Sequence, residues 1–267
     1  MSRIAGAFRR AARERRAAFV PYITAGDPSP QRTVELALAL ERVGADVLEL
    51  GVPFSDPMAD GPTNQRAAER ALAAGTTLAG VLEMVREVRS ASAMAIVLFT
   101  YANPVVRYGI DRFAKHAAAS GIDGVLFTDV PAEEMPRFRR ELKPARIDPI
   151  MLVTPTSNRA RMKAAARLGS GFLYLVSRTG VTGAQRDLDL ELAANVDRVR
   201  EVSKLPVAVG FGISTPEQVA QVAAIADGVV VGSAIVNQIA DEGDTDRLSA
   251  RVEEYAAPLA RACKRRE

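Results

Sequence analysis

Glu49 and Asp60 stand near the two ends of the stretch LELGVPFSDPMADGP, residues 48–62, and a pair of carboxylates can share proton transfer and charge stabilisation. Asp56 lies between them and Asp46 just before them. Prolines 53, 57 and 62, with glycines 51 and 61, keep most of the stretch out of regular structure. A segment so rich in turn formers and acids is either a solvated surface loop or a catalytic one. Composition alone favours the surface loop. Glu49 argues otherwise, because it falls inside the apolar run DVLEL (46–50). Side chains alternate along a strand, so Glu49 points opposite to Leu48 and Leu50. If those leucines face covering helices, Glu49 faces the interior near the strand's C-terminal end. An ionised carboxylate there is costly unless it is paired or used, and no lysine or arginine occurs between Arg42 and Arg66 to pair it locally. Asp46 and Asp56 are expected to serve loop or helix-end structure instead of catalysis.

Other chemistries have few residues to work with. The single histidine, His116, sits in the helix-like DRFAKHAAAS with no acidic or cysteine neighbour at ligand spacing, so no metal site is expected. The single cysteine, Cys263, excludes intrachain disulfides. Across 267 residues, 48% hydrophobic and 25% charged residues describe an ordinary globular chain, and a net charge of +3 points to no particular partner. The arginines of FRRAARERR alternate with Ile4, Phe8, Ala11 and Ala12 in the pattern of a short amphipathic helix. Neither a signal-peptide core nor a membrane-length apolar run is present in the sequence, which makes the cytosol the default expectation.

Eight short apolar runs must position these residues: 18–24, 46–50, 95–99, 123–127, 148–153, 171–176, 206–210 and 227–232. Helical periodicity separates them, as in 32–44, 77–90, 132–142 and 215–226, with Gly44, Gly75, Gly121 and Gly169 as C-terminal stops. The runs are continuously apolar, as strands covered on both faces must be. Eight strands alternating with helices predict a single-domain (β/α)8 TIM barrel spanning residues 1–267, with the N-terminal helix capping its bottom. A doubly wound open sheet is the alternative, although the first strand leads into AGDPSP and no dinucleotide-type glycine motif follows it. In a barrel the strand ends GFGIS (210–214) and VGSAIV (231–236), with SRTGVTG (177–183), offer small residues whose backbone N–H groups can approach a phosphate.

FVPYITAGDP, LELGVPFSDPMADGP, SRTGVTG, GFGIS with PEQV, and DGVVVGSAIV occur in collinear order, and together they closely resemble the tryptophan synthase alpha subunit family, from about residue 8 to residue 240. The resemblance implies retro-aldol cleavage of indole-3-glycerol phosphate to indole and glyceraldehyde 3-phosphate, a step of tryptophan biosynthesis. It implies catalytic roles for Glu49 and Asp60. Phosphate contacts would fall on Gly183, Gly212, Gly232 and Ser233. Tyr22, Phe99, Leu126, Leu152, Tyr174 and Thr182 would form the substrate pocket. Pro53, Asp56, Asn103 and Asp129 would meet a beta subunit that carries pyridoxal phosphate, in an α2β2 tetramer, while this chain needs no cofactor. Asn64 departs from the pattern, standing in the pocket wall where the family usually has an aliphatic residue. Another phosphate-binding barrel lyase or isomerase, a stand-alone indole-releasing lyase, or a silent scaffold for the beta subunit are the rival readings.

Overall fold

The computed structural model describes residues 2–176, 185–210 and 212–265. Eight parallel strands close into a barrel in chain order: β1 (Ala18–Thr24), β2 (Val47–Gly51), β3 (Ala95–Thr100), β4 (Gly124–Phe127), β5 (Asp148–Val153), β6 (Leu173–Val176), β7 (Val207–Gly210) and β8 (Gly228–Val231). Pairing of β8 with β1 closes the ring, which excludes the open-sheet alternative. Around it run α1 (Arg3–Arg13), α2 (Pro30–Arg42), α3 (Pro62–Ala73), α4 (Leu78–Ala91), α5 (Ala102–Tyr108), α6 (Ile110–Ser120), α7 (Met135–Leu142), α8 (Arg159–Leu168), α9 (Gln185–Arg200), α10 (Pro216–Ile225), α11 (Ser233–Glu242) and α12 (Leu248–Ala262).

Period-two alternation sorts the strand residues into two cores. Leu48, Leu50, Ile96, Leu98, Val125 and Val209 join the larger one, packed between barrel and helices. Val20, Val47, Val97, Leu126, Ile150 and Val230 form the smaller one inside the barrel. That inner core is completed from below by Ile4, Ala7, Phe8 and Ala11 of α1. Phe8 stacks against Phe172 with ring centroids 5.2 Å apart. Ser2 starts α1 by accepting a hydrogen bond from the Ala5 N–H, while Arg3 ties it to Asp123 at 2.9 Å. Arg9 and Arg10 stay exposed on the outer face, as an amphipathic helix requires.

Asp46 has a structural task. It accepts two hydrogen bonds from Arg16, and a third from the Phe19 N–H at 2.9 Å, locking the entry of β1 to that of β2. Of the four helix-stop glycines, Gly44, Gly75 and Gly121 have φ of 104°, 81° and 90°. Gly169 differs: its backbone is extended, with φ −78°. A Cβ there would crowd the Ala165 carbonyl and Met151 at 3.0 Å each, so close packing, not a left-handed turn, requires the glycine.

Candidate active site

At the C-terminal end of the barrel the inward-facing residues line a cavity of about 370 Å³. Tyr22, Glu49, Phe99, Leu152 and Tyr174 reach it from β1, β2, β3, β5 and β6. Tyr22 and Glu49 lie side by side in register, and Tyr22 meets Phe99 edge to face at 5.3 Å. Two glycines make room for the phenols. A Cβ on Gly51 would collide with the Tyr22 hydroxyl, and one on Gly210 with the Tyr174 hydroxyl. Tyr22 and Tyr174 therefore fold over neighbouring strands while facing the cavity.

Glu49 is 1% exposed, and its Oε1 has no hydrogen-bond partner among the described residues. Burial alone pushes its pKa up from 4.5 to about 8, so the carboxyl keeps its proton at neutral pH. Burial also raises both phenols above their usual range. The nearby carboxylates add to this, chiefly Asp60 for Tyr22 and Glu49 for Tyr174. A buried carboxylic acid with one oxygen left without an internal partner, set against a mostly apolar wall, is poised to exchange its proton with whatever fills the cavity.

Asp60 approaches from the rim, just before Gly61, the N-cap of α3. The Tyr101 hydroxyl donates to Asp60 Oδ2 at 2.8 Å and accepts from the Ala59 N–H at 3.0 Å. Gln65 Nε2 donates to the Asp60 carbonyl at 2.9 Å, and Phe54 packs on the Tyr101 ring at 5.2 Å. The loop is thus held by polar ties to Tyr101 and Gln65, more than a count of its apolar anchors suggests. Burial raises the Asp60 pKa, and the Tyr101 hydrogen bond opposes that shift. Tyr101 went unread in the sequence, where YANP carries no local sign of a contact made across the fold.

Gly212, Gly232 and Ser233 line the cavity from the segments that follow β7 and β8. Gly212 adopts φ 76°, a left-handed conformation natural to glycine. Gly232 is the N-cap of α11 and makes no side-chain cap, so the leading N–H groups of that helix, beginning at Ser233, have no intrahelical acceptor. Such a helix start suits an anion. No lysine or arginine among the described residues lines the cavity, which leaves backbone N–H groups and the Ser233 hydroxyl as the donors on this side.

Some expected residues lie elsewhere. Leu126 faces inward but is fully buried in the inner core, one layer below the cavity, and does not line it. Thr182 and Gly183 fall outside the described residues. Pro53 is buried in this chain, whereas Asp56, Asn103 and Asp129 are exposed on the rim. Asp129 also accepts from the Ala102 N–H at 2.8 Å, fixing the start of α5 beside Asn103. Val176, Val230 and Thr128 also line the cavity; alternation along β6 and β8, and its continuation one residue past β4, could have found them.

The family model of the tryptophan synthase alpha chain matches residues 8–264. The chain belongs to this family. Among its relatives, the tryptophan synthase alpha chain of Solibacter usitatus is 49% identical over 261 residues, covering 98% of each chain. That of Geobacter sulfurreducens is 54% identical over 236 residues, 88% of this chain and 89% of the relative. The crystal structure of tryptophan synthase subunit alpha from Legionella pneumophila superposes with a TM-score of 0.91 at 41% identity, covering 98% of both chains. Tryptophan synthase alpha chains are lyases, and the alpha reaction cleaves indole-3-glycerol phosphate. The cavity of this alpha chain is lined by two carboxyl groups, Glu49 and Asp60, and by Gly212, Gly232 and Ser233.

Proposed function

We propose that Glu49 and Asp60 carry out this cleavage between them, releasing indole and glyceraldehyde 3-phosphate. The observation that carries the assignment is the buried Glu49 carboxyl at the cavity wall, whose Oε1 has no hydrogen-bond partner among the described residues. Glu49 gives its proton to ring C3, and the ring nitrogen takes up the positive charge. Asp60 accepts the indole N–H and stabilises that charge. The bond from C3 to the carbinol carbon then breaks, and its electron pair restores the indole ring. The carbinol hydroxyl loses its proton to the Glu49 carboxylate as the aldehyde forms, so the catalyst ends as it began. Proton transfers complete the reaction, and this chain needs no metal or organic cofactor of its own.

The indole ring would lie between Tyr22, Phe99, Leu152 and Tyr174, with the phosphate at Gly212, Gly232 and Ser233. Ser233→Asp should therefore raise KM for the phosphorylated substrate far more than it alters thermal stability, because a fixed negative charge then occupies the anion's seat. Titration with glyceraldehyde 3-phosphate measures this, and unchanged affinity would move the phosphate elsewhere.

The beta subunit of tryptophan synthase, with its pyridoxal phosphate, is the partner we assign, in an α2β2 assembly in the cytosol. The rim supports such docking. Met58 is 84% exposed beside Asp56, and Val106 of α5 is exposed near Asn103. Contact there would steady the segment that carries Asp60, and so raise turnover without adding a catalytic group. Indole release from indole-3-glycerol phosphate should be slow for the chain alone and about tenfold faster when saturated with the beta subunit, a change of about 1.4 kcal/mol. Equal rates with and without the partner would favour the stand-alone lyase.

A further inference from the structure

Asn64 is a polar residue in the cavity wall that the cleavage leaves unused. It sits in the first turn of α3, on the helix face that it shares with the buried Ala67, Ala68 and Ala71. Ala67 packs with Tyr22, Phe99 and Val236, so this face borders the aromatic part of the cavity. Asn64 lines the cavity. Its Oδ1 is buried and finds no hydrogen-bond partner among the described residues. A buried amide oxygen without a partner is destabilising. What remains within its reach is the occupant of the cavity.

We infer that Asn64 is a specificity-determining residue that extends the ring pocket to indoles bearing a hydrogen-bonding group on the benzo ring. The inference rests on the reaction assigned above. With Asp60 accepting the ring N–H and the bicycle held by Tyr22 and Phe99, which pack on Ala67 of the same α3 face, this reading sets the Asn64 amide beside the benzo edge. A hydroxyl there donates to Oδ1 and ends its isolation. Unsubstituted indole offers only C–H groups at that edge and leaves the amide unsatisfied. Polar complementarity of this kind discriminates more sharply than a change of one methylene, because the cost falls on whichever ligand leaves the buried group unpaired.

The test is the reverse reaction, condensation of glyceraldehyde 3-phosphate with indole and with 4-, 5-, 6- and 7-hydroxyindole, by the wild-type chain and by Asn64→Leu. The leucine keeps roughly the side chain's size and removes both polar atoms. Its kcat/KM should rise for indole and fall for at least one hydroxyindole, moving their ratio by at least roughly fivefold. Ratios that all move by less, with indole still condensed, would overturn this inference alone. Failure of the wild-type chain to condense indole at all would overturn the assigned reaction and the inference with it. Thermal melting of Asn64→Leu, with Asn64→Val as a second apolar variant, separates a change in specificity from a loss of fold.

Discussion

Glu49→Gln should lower cleavage of indole-3-glycerol phosphate by about a hundred- to ten-thousand-fold, the usual contribution of a positioned acid–base group. The amide keeps the size of the side chain and its place between Tyr22 and Val97 in the register, but it cannot pass a proton to ring C3. Single-turnover indole release measures the loss, and activity within a few fold of wild type would take Glu49 out of the mechanism. The same variant carries a second signature. In the unfolded chain the carboxyl titrates near its ordinary 4.5, whereas burial holds it at about 8 in the folded protein. Between those values the folded chain retains a proton that the unfolded chain has released. Wild-type stability therefore falls as pH rises through that window and levels off above it. The glutamine amide does not titrate, so the variant should gain stability relative to wild type from about pH 4.5 to about pH 8. Chemical denaturation across that range would show parallel curves if the carboxyl were already ionised in the fold.

Asp60→Asn should cost roughly a hundred- to thousand-fold in turnover, the scale seen when one group that stabilises developing charge is removed. The amide retains a hydrogen bond to the ring N–H but supplies no negative charge to balance the cation formed when C3 is protonated. Asp60→Glu keeps the charge on a stem one methylene longer and should retain part of the activity. Tyr101→Phe removes only the hydroxyl that holds Asp60 Oδ2 at 2.8 Å, and should lower turnover less than Asp60→Asn does. Equal rates for the Asn and Glu variants would contradict an electrostatic role.

Much of this was legible in the sequence, and for identifiable reasons. Each of the eight apolar runs became a strand, with ends displaced by a residue or two where flanking Asp, Gly or Pro stand outside the hydrogen-bonded ladder, as at Asp123 and Pro206. Glu49 was legible because alternation is a local property and a lone acid in an apolar strand breaks its pattern. Depth is a different matter. Alternation places Leu126 on the inward face, but its height within the barrel depends on strand stagger, which pairs it with Phe99 and Ile150 and leaves it under the cavity floor. Tyr101 was illegible for a related reason. Its hydroxyl meets Asp60 across 41 residues of chain, a contact made only when β3 is set beside β2. Gly169 shows that a glycine after a helix can answer a packing demand from another element, which no rule about helix ends contains.

The packing of Ile4 and Phe8 of α1 into the lower end of the barrel also bears on molecular traffic. A barrel stoppered at its base is a cul-de-sac. Whatever enters beside Asp60 cannot leave through the base that α1 fills, and two products born together have to share the mouth. The order of departure is then set by the rim and not by the chemistry beneath it. A body seated over Asp56 and Met58 would stand at that doorway, where it could detain the aldehyde phosphate or receive the indole without ever touching the carboxylates that made them.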